Sequence, residues 1–168
     1  MLSDIDTTQL LSLIVAQHVL AQAQRKTETP VEDISVILGA TGGTKLFCES
    51  ACRLEYPKII KAMRKVGVDE NKIKEVVDLY AAQFADWTEN TFPGLLINVI
   101  TGRITNRMNL GGENCVVDAA CASGLAAISY GIEKLLTGST KMVISGGVDT
   151  SNAIPMVMCF SKTPALSP

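Results

Sequence analysis

Residues 115–149, CVVDAACASGLAAISYGIEKLLTGSTKMVISGGVD, restrict the possible folds more than any other stretch of the chain. CVVDAA reads as a short apolar strand. SGLAAISYGIEKLLTG follows as a helix ending near Gly138, and KMVISGGVD returns to a second apolar strand closed by Gly146-Gly147. Continuous apolar runs suit strands covered on both faces, and a helix between two strands supplies the crossover that parallel pairing needs. The expected fold class is therefore α/β, built on a βαβ unit whose two strands are both buried.

Upstream, the pattern changes several times. In TTQLLSLIVAQHVLAQA, residues 7–23, Leu10, Leu11, Ile14, Val15, Leu20 and Ala23 recur at helical spacing, with Thr7 or Thr8 placed to cap the helix. Residues 25–32 are polar, contain Pro30 and read as a connection. VEDISVILGA switches to a strand around Ile34, Val36, Ile37 and Leu38, and the glycines at 39, 42 and 43 make a tight turn. From Lys45 to Trp87 the chain is mostly helical. Pro57 opens one helix at a position where a proline costs no hydrogen bond, Gly67 ends it, and Asp69 caps a second running through NKIKEVVDLYAAQFADW. Pro93-Gly94 breaks the pattern. A further helix, LLINVITGRITNRM, then carries Leu95, Leu96, Val99 and Ile100 toward the core, with Gly102 as its weak point.

The 168 residues suffice for one domain with a real core, and 47% hydrophobic content argues against disorder. A net charge of −2 offers no field for nucleic acid or an anionic membrane. Lys61, Arg64 and Lys65 are spaced as on the wet face of a helix. Asp4 and Asp6 stand where a secretory signal would be basic, and no run approaches the roughly 20 apolar residues that span a bilayer. Of five cysteines, Cys48, Cys115 and Cys159 read as core thiols, and a reduced, cytoplasmic setting follows as the default.

Cys121 is the candidate for chemistry, because it sits where the 115–120 strand meets the following helix. The first N–H groups of a helix have no internal partners and its dipole favours negative charge there, while the thiolate is the nucleophilic form of cysteine. Ala119, Ala120, Ala122 and Gly124 leave room for an acyl chain or a carrier arm, and the Cys121 backbone N–H is placed to donate to the oxygen of a tetrahedral thioester intermediate. The residues by themselves also allow a buried small hydrophobe at a tight strand–helix crossing.

The run VVDAACASGLAAI, residues 116–128, resembles the active-site signature of β-ketoacyl synthases, in which an aspartate and two small residues lead to the nucleophilic cysteine and an apolar helix. GRITNRMNLGGENC before it, the opening DIDTTQLLSLIVAQHVLAQA and the closing GGVDTSNAIPMVMCFSKTPALSP are similar to other parts of the same family. WTENTFPGLLINVITGRITNR and MCFSKTPALSP bring the chain nearest to the ketosynthases of polyunsaturated fatty acid and polyketide synthases.

The resemblance implies a thiolase-like layered αβαβα fold, of which residues 1–168 are a partial ketosynthase domain, its N-terminal half. It implies that the family's first strand precedes Met1 and that its two histidines and lysine follow Pro168, so that the piece alone does not condense. It further implies Cys121 as nucleophile of a decarboxylative Claisen condensation, with substrates carried on the phosphopantetheine of an acyl carrier protein. No bound cofactor or metal, no nucleic acid and no membrane insertion are expected, and the enzyme is expected to be a homodimer joined near the VVDA strand. The alternative is a non-catalytic thiolase-fold remnant, a dimerisation module or a chain-length factor; keeping Cys121 counts against the last.

Other motifs carry less. GATGGTK, residues 39–45, lacks the glycine before lysine and the following Ser or Thr of a phosphate loop, so a structural turn is expected. Cys48 and Cys52 are four apart but have no second ligand pair for zinc. Asp118 reads as a structural hydrogen-bonding carboxylate, Arg103 and Arg107 as an ordinary surface pair, and His18 as structural or solvent-exposed.

Overall fold

The computed structural model describes residues 4–24, 26–42, 44–150 and 154–167. In chain order these form α1 (Thr7–Gln24), β1 (Ile34–Gly39), α2 (Lys45–Cys52), α3 (Tyr56–Lys65), α4 (Glu70–Ala81), the short α5 (Thr91–Leu95), α6 (Val99–Met108), β2 (Asn114–Val117), α7 (Ser123–Leu136), β3 (Met142–Gly147) and α8 (Ile154–Lys162).

Every residue of β1 is buried, and it lies in the middle of a three-stranded parallel sheet of order β2-β1-β3. Successive side chains of a strand point to opposite faces. Ile34, Val36 and Leu38 join Ile100 and Ile104 of α6, Ala16 and Leu20 of α1, and Ile144 of β3 in one core. The other face is covered by α7, which packs along β1 and β3. The described residues thus form helices, sheet and helix in three layers.

The expected βαβ unit is present as β2, α7 and β3, but its two strands are not neighbours: β1 lies between them. Nor are both strands buried. β2 has no fully buried residue, and in β3 only Ile144 is buried, because each holds an edge of the sheet among the described residues.

The first half of α1 turns polar side chains inward, and the second half packs Ala16 and Leu20 into the core. Thr8, Gln9, Ser12, Ala16 and Leu20 are buried, while Leu11, Ile14, Val15 and Val19 face outward. Hydrogen bonds explain the choice, since a buried polar group is tolerable only when partnered. The Gln9 amide Nε2 donates to the carbonyls of Pro93, Gly94 and Leu96 at 2.9, 3.1 and 3.1 Å, and its Oε1 accepts from Arg103 Nε at 2.9 Å. Arg103 is therefore an internal tie between α1 and α6 and not half of a surface pair, whereas Arg107 is exposed. Asp6, rather than Thr7 or Thr8, caps α1: its Oδ1 accepts from Thr8 N at 2.9 Å and its Oδ2 from Leu46 N at 3.0 Å, joining the starts of α1 and α2.

The helical stretch between β1 and β2 follows its local signals as far as the start of α4 and departs from them beyond Ala81, where α6 starts only at Val99 and Leu95 belongs to α5. Pro57 lies in the first turn of α3, Gly67 adopts φ +81° after it, and Asp69 accepts from Asn71 N at 2.9 Å to cap α4. Lys61, Arg64 and Lys65 are on the wet side. Edge-to-face stacking of Tyr56 on Tyr80 at 5.6 Å, and of Tyr80 on Phe84 at 5.1 Å, joins α3 to α4. Helix α4 stops at Ala81, short of Trp87, and Arg53 reaches across to the Ala85 carbonyl just beyond it. Pro93 and Gly94 sit inside the single turn of α5 instead of breaking the chain; Gly94 is required there, as a Cβ would lie 2.1 Å from the Asp4 carbonyl oxygen.

Candidate active site

Parallel α/β sheets present ligands at the carboxyl ends of their strands, and Cys121 stands there. Strand β2 ends at Val117, Asp118 and Ala119 lead out, and a single 3-10 turn, Ala120–Ala122, runs into α7. Two glycines let that junction settle on the sheet. A Cβ on Gly39 would fall 2.3 Å from the Ser123 carbonyl carbon, and a Cβ on Gly147 would lie 3.2 Å from the Gly124 Cα. The helix start is thereby pressed against the ends of β1 and β3.

Cys121 itself is exposed, so the alternative of a thiol buried at a tight crossing is excluded. The backbone before it is unusual. Ala120 has φ +50°, a left-handed conformation that costs an alanine roughly 1–2 kcal/mol. Two side chains hold it. Asp118 Oδ1 accepts from Ala120 N at 3.0 Å and from Thr41 Oγ1 at 2.8 Å. Ser123 Oγ accepts from Ala119 N at 2.8 Å and donates to the Ala120 carbonyl at 2.6 Å. The Ala120 N–H, followed by the Thr41 hydroxyl, holds the Asp118 carboxyl below the usual aspartate range. Asp118 is thus the structural hydrogen-bonding carboxylate that its position suggested.

The turn after β1 adjoins this point. Thr41 and Gly42 belong to the GATGGTK stretch, a structural turn whose Thr44 caps α2 by accepting from Phe47 N at 3.3 Å; Gly43 lies outside the described residues. An apolar groove of about 320 Å³ opens at Gly42 and runs between Phe47, Phe92, Leu95 and Ile97. A second hollow of about 350 Å³ continues it past Leu54 and Trp87.

On the opposite side, where β2 meets α7, Glu113 accepts from Tyr130 Oη at 2.9 Å and pairs with Lys134 Nζ at 2.5 Å. Lys134 holds the Glu113 carboxyl low, and Glu113 in turn raises Lys134 to about 12. Burial, with Glu113 next, pushes the Cys115 thiol up. Cys115 and Cys48 are half-buried, but Cys159 on α8 is exposed and is not a core thiol, because nothing among the described residues covers that helix. Cys48 and Cys52 share α2, and no group of three or more potential metal-ligating His, Cys, Asp or Glu side chains occurs among the described residues. His18 is exposed on α1. No described helix is long and apolar enough to cross a membrane.

Thr41 and Ser123 are the site residues that the sequence did not disclose. Ser123 carries a faint local signal, a hydroxyl at the opening of a helix. Thr41 carries none, since its partner lies 77 residues away.

A parallel sheet layered between helices, with a cysteine presented at a strand's carboxyl end, defines a thiolase-like α/β domain. The chain belongs to the β-ketoacyl synthase family: the model for the beta-ketoacyl synthase N-terminal domain matches residues 1–168. It is 42% identical over 167 residues to a polyunsaturated fatty acid synthase subunit from Thraustochytrium sp., a match that covers 99% of this chain and 6% of that protein. Over 68 residues, 40% of the chain and 4% of the relative, it is 37% identical to the 6-methylsalicylic acid synthase of Penicillium patulum. In fold it is similar to a β-ketoacyl synthase from Burkholderia phymatum, with TM-score 0.65 and 18% identity over 98% of this chain and 35% of that one. A type II polyketide ketosynthase solved in complex with its acyl-carrier protein gives TM-score 0.64 and 11% identity over 98% and 41%. The chain therefore spans only a small part of these curated relatives and less than half of the two solved chains.

Proposed function

We propose that Cys121 is the acyl-accepting nucleophile of a condensing enzyme that extends acyl chains by decarboxylative Claisen condensation. The observation that carries this is the exposed cysteine at the carboxyl end of β2, held at the start of α7 within a family of condensing enzymes. In the first half-reaction Sγ of the thiolate attacks the carbonyl carbon of an acyl thioester. The carbonyl oxygen takes the negative charge, with the Cys121 N–H as one donor to it, and collapse expels the carrier thiolate. In the second, a malonyl thioester loses CO₂, and the carbanion so formed attacks the acyl-cysteine carbonyl. A carbon–carbon bond forms, the carbon–sulfur bond breaks, and Cys121 leaves as thiolate.

The carrier is proposed to be an acyl carrier protein domain, as for the solved ketosynthase complex, with the acyl group delivered on its phosphopantetheine. The groove from Gly42 past Phe47 and Phe92 is suited to an acyl tail, because its walls are apolar and its mouth adjoins the Thr41–Asp118 bond. Products of the polyunsaturated fatty acid or polyketide type, a reduced cytoplasmic setting, no bound cofactor, and a homodimer joined along the free edge of β2 complete the proposal.

The test is acyl transfer followed by intact-protein mass. The intact enzyme, treated with an acyl-carrier thioester, should gain one acyl group that maps to the Cys121 peptide and is absent from Cys121→Ala. If Cys121 reacts with thiol reagents no faster than Cys159 and takes no acyl group, the non-catalytic scaffold reading replaces this one.

A further inference from the structure

An oxyanion hole works only when its donor is aimed before the charge develops. The Cys121 N–H belongs to the peptide that begins at Ala120, so the φ and ψ of Ala120 decide where it points. That residue is left-handed at φ +50°. An alanine does not hold such a conformation by its own preference.

What holds it spans two strands. Thr41 follows β1 and Asp118 follows β2, and the two strands run parallel with Gly39 opposite Val117. The last ladder bond, from Ala40 N to the Val117 carbonyl at 3.2 Å, is followed by the side-chain bond from Thr41 Oγ1 to Asp118 Oδ1 at 2.8 Å. The same Oδ1 receives Ala120 N at 3.0 Å. Thr41 thus fixes the carboxylate, and the carboxylate fixes the Ala119–Ala120 peptide and with it the turn at Ala120, while Ser123 Oγ, donating to the Ala120 carbonyl at 2.6 Å, holds the next peptide, the one that carries the Cys121 N–H. Neither Thr41 nor Asp118 is needed for the core, as both are exposed.

We infer that Thr41 and Asp118 are positioning residues for acyl transfer, forming a clamp between the ends of β1 and β2 that aims the Cys121 N–H at the thioester oxygen. This rests on the assignment of Cys121 as nucleophile. It separates two reactions of the same sulfur. Attack on a thioester builds charge on oxygen and needs the aimed donor. Alkylation by iodoacetamide displaces iodide at a saturated carbon and builds no oxyanion.

The experiment compares the two rates at Cys121 in the intact protein for wild type, Thr41→Val, Thr41→Ser and Asp118→Asn. Alkylation of half-buried Cys115 is followed alongside as a check that each variant is folded. Thr41→Val is expected to slow acyl transfer by about tenfold or more, the scale of a misaimed catalytic group. Alkylation of Cys121 should stay within about twofold of wild type over the same series. Thr41→Ser, which keeps the hydroxyl, should restore transfer, and Asp118→Asn should fall between. Equal loss in both reactions, or no loss in either, overturns the clamp while leaving Cys121 as nucleophile. A wild-type protein that is alkylated at Cys121 but never acylated overturns the nucleophile assignment, and the clamp with it.

Discussion

At Gly39 a methyl group would sit 2.3 Å from the Ser123 carbonyl carbon and 2.5 Å from the Gly124 nitrogen, both backbone atoms that cannot turn aside. Gly39→Ala should therefore lift the start of α7 from the sheet and cost about 1–3 kcal/mol, the usual penalty of overpacking. It should also slow acylation of Cys121, because the same helix start carries that residue; thermal melts and transfer rates measured together would show both. Asp118 gives a pH signature. Its folded pKa is depressed by the Ala120 N–H and the Thr41 hydroxyl, so its contribution to stability is present above the ordinary aspartate value of about 3.9 and is lost as pH falls through the lower folded value. The difference in melting temperature between wild type and Asp118→Asn should be full at neutral pH and close in strong acid. A difference that does not change with pH would mean that the carboxylate charge is irrelevant to the turn.

Among the elements, α1 reverses the usual expectation about which residues matter. Gln9 is buried and satisfies three carbonyls of the 93–96 segment while accepting from Arg103. Gln9→Leu keeps the bulk and strands those groups, so a loss of about 2 kcal/mol or more is expected in urea unfolding. Ile14, half exposed at 50%, sits on the apolar side of the same helix. Ile14→Lys should change the stability of the isolated chain by no more than about 0.5 kcal/mol. If instead the lysine were the damaging change, α1 would have to face the core with its apolar side.

For the molecule as a whole, the two faces of the sheet are closed but the outer side of α7 is open. Leu125, Ile128, Ile132 and Leu136 make a stripe along it, with Leu125 and Leu136 at 76% and 82% exposure. A contiguous apolar patch beside edges of β2 and β3 that are unpaired among the described residues is a surface for association. The isolated 168-residue chain should therefore self-associate in light scattering and bind a hydrophobic dye, and Leu125→Lys with Leu136→Lys should reduce both. A monodisperse, dye-silent chain would show that these surfaces are tolerated by themselves.

The local signals in the sequence were sufficient for the kind of element at most positions. Pro57, Gly67 and Asp69 mark where helices open and close, the runs around Ile37, Val116 and Ile144 are strands, and the junction that carries Cys121 is readable from an apolar strand meeting a run of small residues. Chain-local chemistry governs such choices, so a single sequence carries them. Tertiary structure decided what each element faces. Periodicity makes residues 7–24 a helix but does not say that the hydrogen-bonding of Gln9 and Asp6 turns Thr8, Gln9 and Ser12 inward beside Ala16 and Leu20. It finds two strands around α7 but not that β1 enters between them and leaves both at edges. Thr41 looks like any turn residue until the register of β1 against β2 brings it to Asp118, 77 residues away. Contacts of that kind are fixed by the pairing of whole strands, and no property of either residue taken alone contains them.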